Sequence, residues 1–241
     1  MTHDGAKSAL RVAGAASVVL FSLMLIVAFA LHYTSVGEFF EISLRYVQLP
    51  IEQTIANFMG DEAGRTYVWP HLIAYLSVPM MIAASLTIGY FLFERAPWYA
   101  LIGSAFTVTG AVFLGGVFAA WLSFAALGNL PSDQTDSAVA ALRVLTEMQG
   151  PLALSTYLSA LSLLGFMVSA VGLFRARVVP RWSAVSLFLG NLMILVFMDL
   201  DNLMLAGAVL MLAGLVPVGR SLLSGSDQPA VTPGVPAPQI S

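Results

Sequence analysis

The chain has 241 residues, of which 59 % are hydrophobic and only 10 % are charged, and its formal net charge is −3. Soluble domains carry roughly 25 % charged residues, so this chain could not cover a globular surface in water. The sequence shows no basic patch of the kind that binds nucleic acid. It has no cysteine, which excludes disulfides, thiolate metal sites and a cysteine nucleophile.

Apolar runs recur along the chain, and each is long enough to cross a hydrocarbon core about 30 Å thick. The runs are continuous rather than alternating, which predicts helices and not a β-barrel. We therefore predict an all-α, integral membrane six-helix bundle that forms a single transmembrane domain over residues 1–223. The predicted helices cover residues 10–33, 69–93, 98–127, 152–174, 183–198 and 203–222.

The first apolar run follows Lys7 and Arg11 and is longer than the hydrophobic part of a signal peptide. We therefore expect it to be retained as a helix. In the segment that follows, residues 38–59 mix aromatic and aliphatic side chains with acids. This mixture predicts a helix that lies at the membrane interface; an irregular solvated loop is the alternative.

The predicted fifth helix is short, and Asp199, Asp201 and Asn202 follow it. These residue types favour turns, so they predict a hairpin between two membrane spans. The alternative is one buried, broken segment, which would leave five full spans. Residues 224–241 are rich in proline and have little to bury, so we expect a disordered tail.

The distribution of basic residues predicts the orientation of the chain. When the predicted helices alternate from a cytoplasmic N-terminus, most cations fall on the cytoplasmic side, as the positive-inside rule requires. We therefore expect both termini in the cytoplasm and most acids on the outer side. The cytoplasmic set is Lys7, Arg11, Arg95, Arg175, Arg177, Arg181 and Arg220, and the outer set is Arg45, Arg65 and Arg143.

Small residues indicate where the helices pack, because lipid supplies little hydrophobic drive between helices and close approach matters more. The fourth helix carries such residues at steps of three and four, which places them on one face. We expect this face to be the central packing seam; a polar path is the alternative. Its members are Ser155, Ser159, Ser162, Gly165, Ser169 and Gly172. The corresponding stripes are Ala111, Gly115 and Ala119 on the third helix, and Gly207 and Gly214 on the sixth.

Two histidines are predicted to lie at a similar depth on the outer side, His32 near the end of the first helix and His71 near the start of the second. Neutral imidazoles bind metals and haem iron. A haem or divalent metal site, helped by Asp199, Asp201 or Glu147, is therefore one hypothesis. The alternative, which we favour, is no cofactor and histidines that bond to water or carbonyl groups, since no ligand motif such as His-Glu-x-x-His is present.

One amide lies deep in the predicted fifth helix, Asn191, and we expect it to bridge two helices. Asp199 follows the end of the same helix. Ionisable residues at membrane depth are expensive and often functional. A small-solute or ion transporter that uses Asp199, Asn191 and the serines of the fourth helix is therefore a second hypothesis.

The segment Leu173-Phe-Arg175-Ala-Arg177-Val-Val-Pro180-Arg181-Trp182 ends one helix in basic residues and opens the next with Pro-Arg-Trp. This pattern resembles the small bacterial membrane proteins of domain-of-unknown-function family 4386. The resemblance is clearest over residues 150–220, and the helix count and the long first outer loop fit it. It implies a bacterial plasma membrane and no known activity, and it supplies no functional residues.

Together these patterns predict a multi-pass protein of the bacterial cytoplasmic membrane that has no enzymatic activity. We expect it to act as a binding or accessory subunit through its outward face. Its expected partners are the lipid bilayer and another membrane protein, and the acidic outer loops with residues 38–59 are the expected contact surface. Transport, and a haem or metal site at His32 and His71, are the alternatives.

Overall fold

The computed structural model describes residues 3–33, 37, 40, 67–127, 136–137, 140, 150–197 and 201–224. Two predicted segments therefore lie outside the described residues. One is the interfacial helix, of which only an isolated position is described, and the other is the disordered tail beyond Ser224.

The prediction of an all-helical membrane bundle is confirmed for the described part of the chain, which contains six helices and no strand. The helices are α1 (His3–Ala30), α2 (Trp69–Phe93), α3 (Pro97–Leu127), α4 (Gly150–Ala176), α5 (Arg181–Val196) and α6 (Asp201–Ser224). Of these, all but α5 are long and apolar enough to cross a membrane.

The largest difference from the predicted bounds is at the N-terminal end of α1, which begins at His3 rather than at residue 10. A helix can extend beyond its apolar run, because polar residues form the same backbone hydrogen bonds. The sequence has an acid at position 4, and acids are favoured in the first turn of a helix. Alanines at positions 6 and 9 are strong helix formers. The polar residues before the span therefore extend α1 beyond it.

Helix α5 has 16 residues, a length of about 24 Å, against a hydrocarbon core of about 30 Å. It packs antiparallel to α6 along its whole length. A methyl group on Gly190 would lie 2.5 Å from the carbonyl oxygen of Gly207, and one on Gly214 would lie 2.7 Å from that of Ser183. The two helices thus form a hairpin, as the turn residues between them predict.

The six helices close into a ring. Each packs against its neighbours in sequence, and α6 packs against α1. The centre of the ring is filled: Phe21 of α1 stacks on Phe166 of α4 with ring centroids 5.3 Å apart. The other large, fully buried side chains include Met81, Ile88, Leu92, Leu173, Leu187, Met211 and Leu215. The ring therefore encloses a packed core.

Consecutive helices run antiparallel, which gives the bundle two distinct ends. Gly14, early in α1, approaches Thr87, late in α2, whereas His32 after α1 approaches His71 at the start of α2. The end that contains the start of α1 and the end of α6 is called the basic end, and the opposite one the histidine end. All arginines whose side chains are described are exposed at the basic end: Arg11, Arg95, Arg175, Arg177, Arg181 and Arg220.

The turn between α4 and α5 shows how the basic end is built. Arg177 has a φ of 53° directly after the last residue of α4, which is the left-handed position that ends many helices. Arg175 donates a hydrogen bond to the hydroxyl of Tyr99 on α3. The Arg181 guanidinium lies 5.4 Å from the centre of the Phe174 ring. These contacts fix Arg175 and Arg181 at the basic end, where Trp98 and Trp182 are also exposed.

Candidate functional site

The structure brings the two predicted histidines together. His32 lies just after α1 and His71 lies in the first turn of α2, so the antiparallel packing of these helices sets them side by side. Their ring centroids are 5.5 Å apart, and the ring planes meet at 78° in an edge-to-face contact. This pair is the one place in the described chain where two of the predicted ligand residues touch.

Both histidines are tied to the backbone through the same ring nitrogen. Nδ1 of His32 lies 3.1 Å from the carbonyl oxygen of Ala28, and Nδ1 of His71 lies 2.8 Å from that of Tyr67. A carbonyl oxygen only accepts, so each Nδ1 must carry the hydrogen. In the neutral rings the lone pair is therefore on Nε2, the nitrogen directed away from the helix backbone.

Aromatic rings surround His71. The ring centroid of Tyr67 lies 4.3 Å from that of His71, and those of Trp121 and Phe118 on α3 lie at 6.0 Å and 6.4 Å. The Tyr67 hydroxyl donates a 2.9 Å hydrogen bond to the carbonyl oxygen of Trp121, which ties the start of α2 to α3. We call His32, His71, Tyr67, Phe118 and Trp121 the histidine cluster.

Burial keeps the His32 imidazole and the Tyr67 phenol uncharged. Desolvation lowers the pKa of the His32 imidazole, against the smaller opposing effect of hydrogen bonds to the carbonyls of Ala28 and Phe29. Burial likewise raises the pKa of the Tyr67 phenol, so this group stays protonated. At neutral pH His32 therefore offers a lone pair and not a positive charge.

The geometry suits a single metal ion better than a haem. Metal–imidazole bonds are about 2.0–2.1 Å long, so two rings on one ion have centres roughly 5–6 Å apart. The observed 5.5 Å falls in that range. A haem would need its macrocycle between the two rings, where they now touch, and the space beside His71 is filled by Tyr67. Within the described part of the chain, no group of three or more His, Asp or Glu side chains lies close enough to share an ion.

The remaining predicted ligand residues are not joined to this cluster by anything described. Glu147 and Asp199 lie outside the described residues, and Asp201 is the first residue of α6, with its side chain outside them. The next residue, Asn202, is buried, and its Oδ1 accepts a hydrogen bond from the Leu203 amide.

The Asn191 side chain is fully buried in α5, but the expected bridge between helices is absent from the described residues. Its Nδ2 donates a 2.8 Å hydrogen bond to the carbonyl oxygen of Leu187, one turn earlier in the same helix. Its Oδ1 has no hydrogen-bond partner in the part of the chain that the structure describes. The described residues therefore do not show the expected bridge, because the amide donates within its own helix.

The predicted seam of α4 faces α3. Ser159, Ser162, Gly165, Ser169 and Gly172 are buried, and Ser155 is half-buried. A methyl group on Gly165 would lie 2.5 Å from the carbonyl oxygen of Gly103 on α3. The hydroxyls of Ser155, Ser159 and Ser162 donate to carbonyls of α4 itself. These three hydroxyls are therefore satisfied by their own helix, whereas Ser169 Oγ has no hydrogen-bond partner among the described residues. The face packs against α3 rather than lining a path.

The sequence did not single out the face of α3 that meets α4. Gly103, Thr107 and Gly110 meet α4, and Thr107 Oγ1 donates to the carbonyl oxygen of Ser162. Gly115, from the predicted stripe, faces Val78 on α2 instead. The aromatic members of the histidine cluster were also not predicted as site residues. Their sequence signal, rings near helix ends, is equally typical of an aromatic belt at the membrane surface.

Comparisons with known proteins add nothing to this geometry: no protein-family model, no curated protein and no solved structure matches the chain.

Proposed function

We propose that this chain is an accessory or binding subunit of a bacterial plasma membrane that acts through its histidine end, which faces outward. The orientation is supported by the exposed arginines at the opposite end, since cytoplasmic ends of membrane proteins attract Lys and Arg. The bacterial location is supported by the resemblance of residues 173–182 to family 4386. Both termini are then cytoplasmic.

The observation that carries the proposal is the contrast between the centre of the bundle and the histidine end. The centre is filled by fully buried apolar side chains such as Phe21, Phe166 and Met81. Groups that can bind a ligand collect instead where the ends of α1 and α3 meet the start of α2, at His32 and His71. A packed core with a polar, aromatic end supports recognition at that end.

The orientation can be tested directly because the chain has no cysteine. Ser137→Cys and Arg177→Cys place one thiol at an exposed position of the outer segment and one in the basic turn. A membrane-impermeant thiol reagent applied to intact cells should label Ser137→Cys alone. It should label Arg177→Cys only after the membrane is opened. The reverse pattern would invert the proposed orientation.

The accessory role can be tested by photo-crosslinking in the same cells. A photoreactive aromatic residue in place of Trp69, which is exposed at the histidine end, should yield one protein adduct of defined mass. The matched control replaces Trp182, which is equally exposed at the basic end, and should yield only lipid adducts. Lipid adducts alone at both positions would argue for a protein that acts by itself.

A small-solute or ion transporter is the second candidate, and Asn191 is the observation that favours it. A fully buried amide oxygen without a partner in the described part of the chain could contact a cation or a solute hydroxyl. Purified protein in sealed vesicles should then pass a cation or proton flux that Asn191→Leu abolishes. If neither the unmodified protein nor Asn191→Leu passes a cation or proton flux, the result would support the accessory role.

A further inference from the structure

We propose that His32 and His71 form a binding site for a first-row transition metal ion such as Zn²⁺, bound through the two Nε2 atoms. This inference deepens the proposed function, on which it rests, because it assigns a ligand to the same outward end. Bound metal would join the end of α1 to the start of α2, two helices that the chain connects only through the long segment 34–66.

The first support is that both imidazoles are already held as metal-ligand histidines usually are. Such a histidine typically donates its second ring N–H to a carboxylate, a backbone carbonyl or water, which fixes the tautomer and the ring orientation. Here Nδ1 of His32 donates to Ala28 O, and Nδ1 of His71 donates to Tyr67 O. Neither ring needs to change tautomer before its Nε2 can bind an ion.

The second support is that the position of His71 is fixed beyond its own hydrogen bond. The residue that accepts from His71, Tyr67, is itself anchored to α3 by its hydroxyl bond to Trp121 O. Trp121 and Phe118 pack at ring-centre distances of 6.0 Å and 6.4 Å from the imidazole. A ligand held in place before binding loses little conformational freedom, which favours affinity.

The third support is the chemistry of the donor set. Imidazole suits zinc, copper, nickel and iron, whereas magnesium and calcium prefer oxygen ligands. The chain has no thiolate to offer. Two imidazoles supply two of the four ligands of a tetrahedral zinc ion and leave the other positions to further ligands.

The experiment uses the full chain, purified in mild detergent with an affinity tag that contains no histidine and freed of metal by a chelator. Zn²⁺ is titrated by calorimetry and Co²⁺ by its visible absorption. We expect one ion per chain. His32→Gln and His71→Gln should each weaken binding about tenfold or more, because each removes one of two protein ligands.

The matched control is His3→Ala, which removes a histidine from the first position of α1, at the basic end. It should bind metal as the unmodified chain does. Thermal unfolding provides a second readout, since Zn²⁺ should raise the midpoint of the unmodified protein and of His3→Ala but not of the two Gln variants. The glutamines keep a polar group of similar length, so all four proteins should elute as folded monodisperse species.

Two results would overturn the site: folded protein that binds no Zn²⁺ or Co²⁺, or binding that both Gln variants retain unchanged. The outcome is separable from that of the accessory role. Lost metal binding with a retained adduct at Trp69 would remove only the metal site. Retained metal binding without any protein adduct would remove only the partner.

Discussion

At the α3–α4 interface, glycines let two backbones touch, whereas at the histidine cluster α1, α2 and α3 meet through large rings. A methyl group on Gly110 would overlap the backbone of Ser162, but His71 meets its neighbours at ring-centre distances of 4.3–6.4 Å. Both regions lie in the same bundle, and α3 contributes to both.

The difference follows from the solvent of each region. Inside the hydrocarbon, helices associate through van der Waals contact, and small side chains increase that contact. Near the membrane surface, aromatic and imidazole groups can bury their faces and still satisfy their polar atoms. The seam of α4 therefore stabilises the bundle, and ligand-binding groups can collect at the histidine end.

The largest expected effect is at the seam. Gly110→Ala should lower the free energy of unfolding by about 2 kcal/mol or more, because the added methyl group forces α3 away from α4. The matched control is Gly116→Ala on the same helix, where a methyl group meets nothing within 4 Å among the described residues. It should leave stability unchanged or slightly raised. Thermal unfolding followed by tryptophan fluorescence measures both, and equal losses would refute the close seam.

The second-largest effect is expected at Asn191 and tests whether its buried amide stabilises the fold. Asn191→Leu should raise the free energy of unfolding by about 1–2 kcal/mol, because it removes a buried oxygen that lacks a partner in the described chain. The control is Leu187→Ala, which leaves that oxygen in place and opens a cavity, so it should destabilise. A large loss of stability in Asn191→Leu would mean that the amide makes a necessary contact.

At the histidine cluster, Tyr67→Phe removes the hydroxyl that bonds to Trp121 O. We expect a loss of about 1 kcal/mol, the usual contribution of one hydrogen bond, and a weaker hold on His71. Tyr90→Phe is the control, since Tyr90 is 84 % exposed, and its removal of a hydroxyl should be nearly neutral. If both variants unfold at the same temperature as the unmodified protein, the Tyr67 bond contributes nothing to the end of the bundle.

The smallest effect is the pH dependence that His32 contributes. Its pKa is lowered in the folded state, so the unfolded chain takes up a proton first as the pH falls. The free energy of unfolding should therefore be highest above about pH 6.5 and decrease below it. Unfolding midpoints measured between about pH 8 and pH 5, with a chelator present, should fall less steeply for His32→Gln. Identical slopes would show that His32 does not titrate differently in the two states.

Local sequence properties determined the number of described helices and, apart from the N-terminal extension of α1, their positions within a few residues. An apolar run either is or is not long enough to cross a bilayer, and this depends on no other part of the chain. The same reasoning placed His32 and His71 at one depth on one side, and the arginines at the opposite end. Even for α5, which is shorter than the hydrocarbon core, the turn residues that follow it predicted a hairpin with α6.

Only the tertiary structure decided which faces meet. Helix α3 carries small residues on several faces, and Gly103 and Gly110, rather than the predicted stripe, pack on α4. The rotation of a helix about its axis depends on all its neighbours at once, so one helix's sequence does not specify it. Likewise, the sequence predicted only that His32 and His71 lie at a similar depth on the same side. That their rings touch, enclosed by Tyr67, Phe118 and Trp121, required the closed ring of helices.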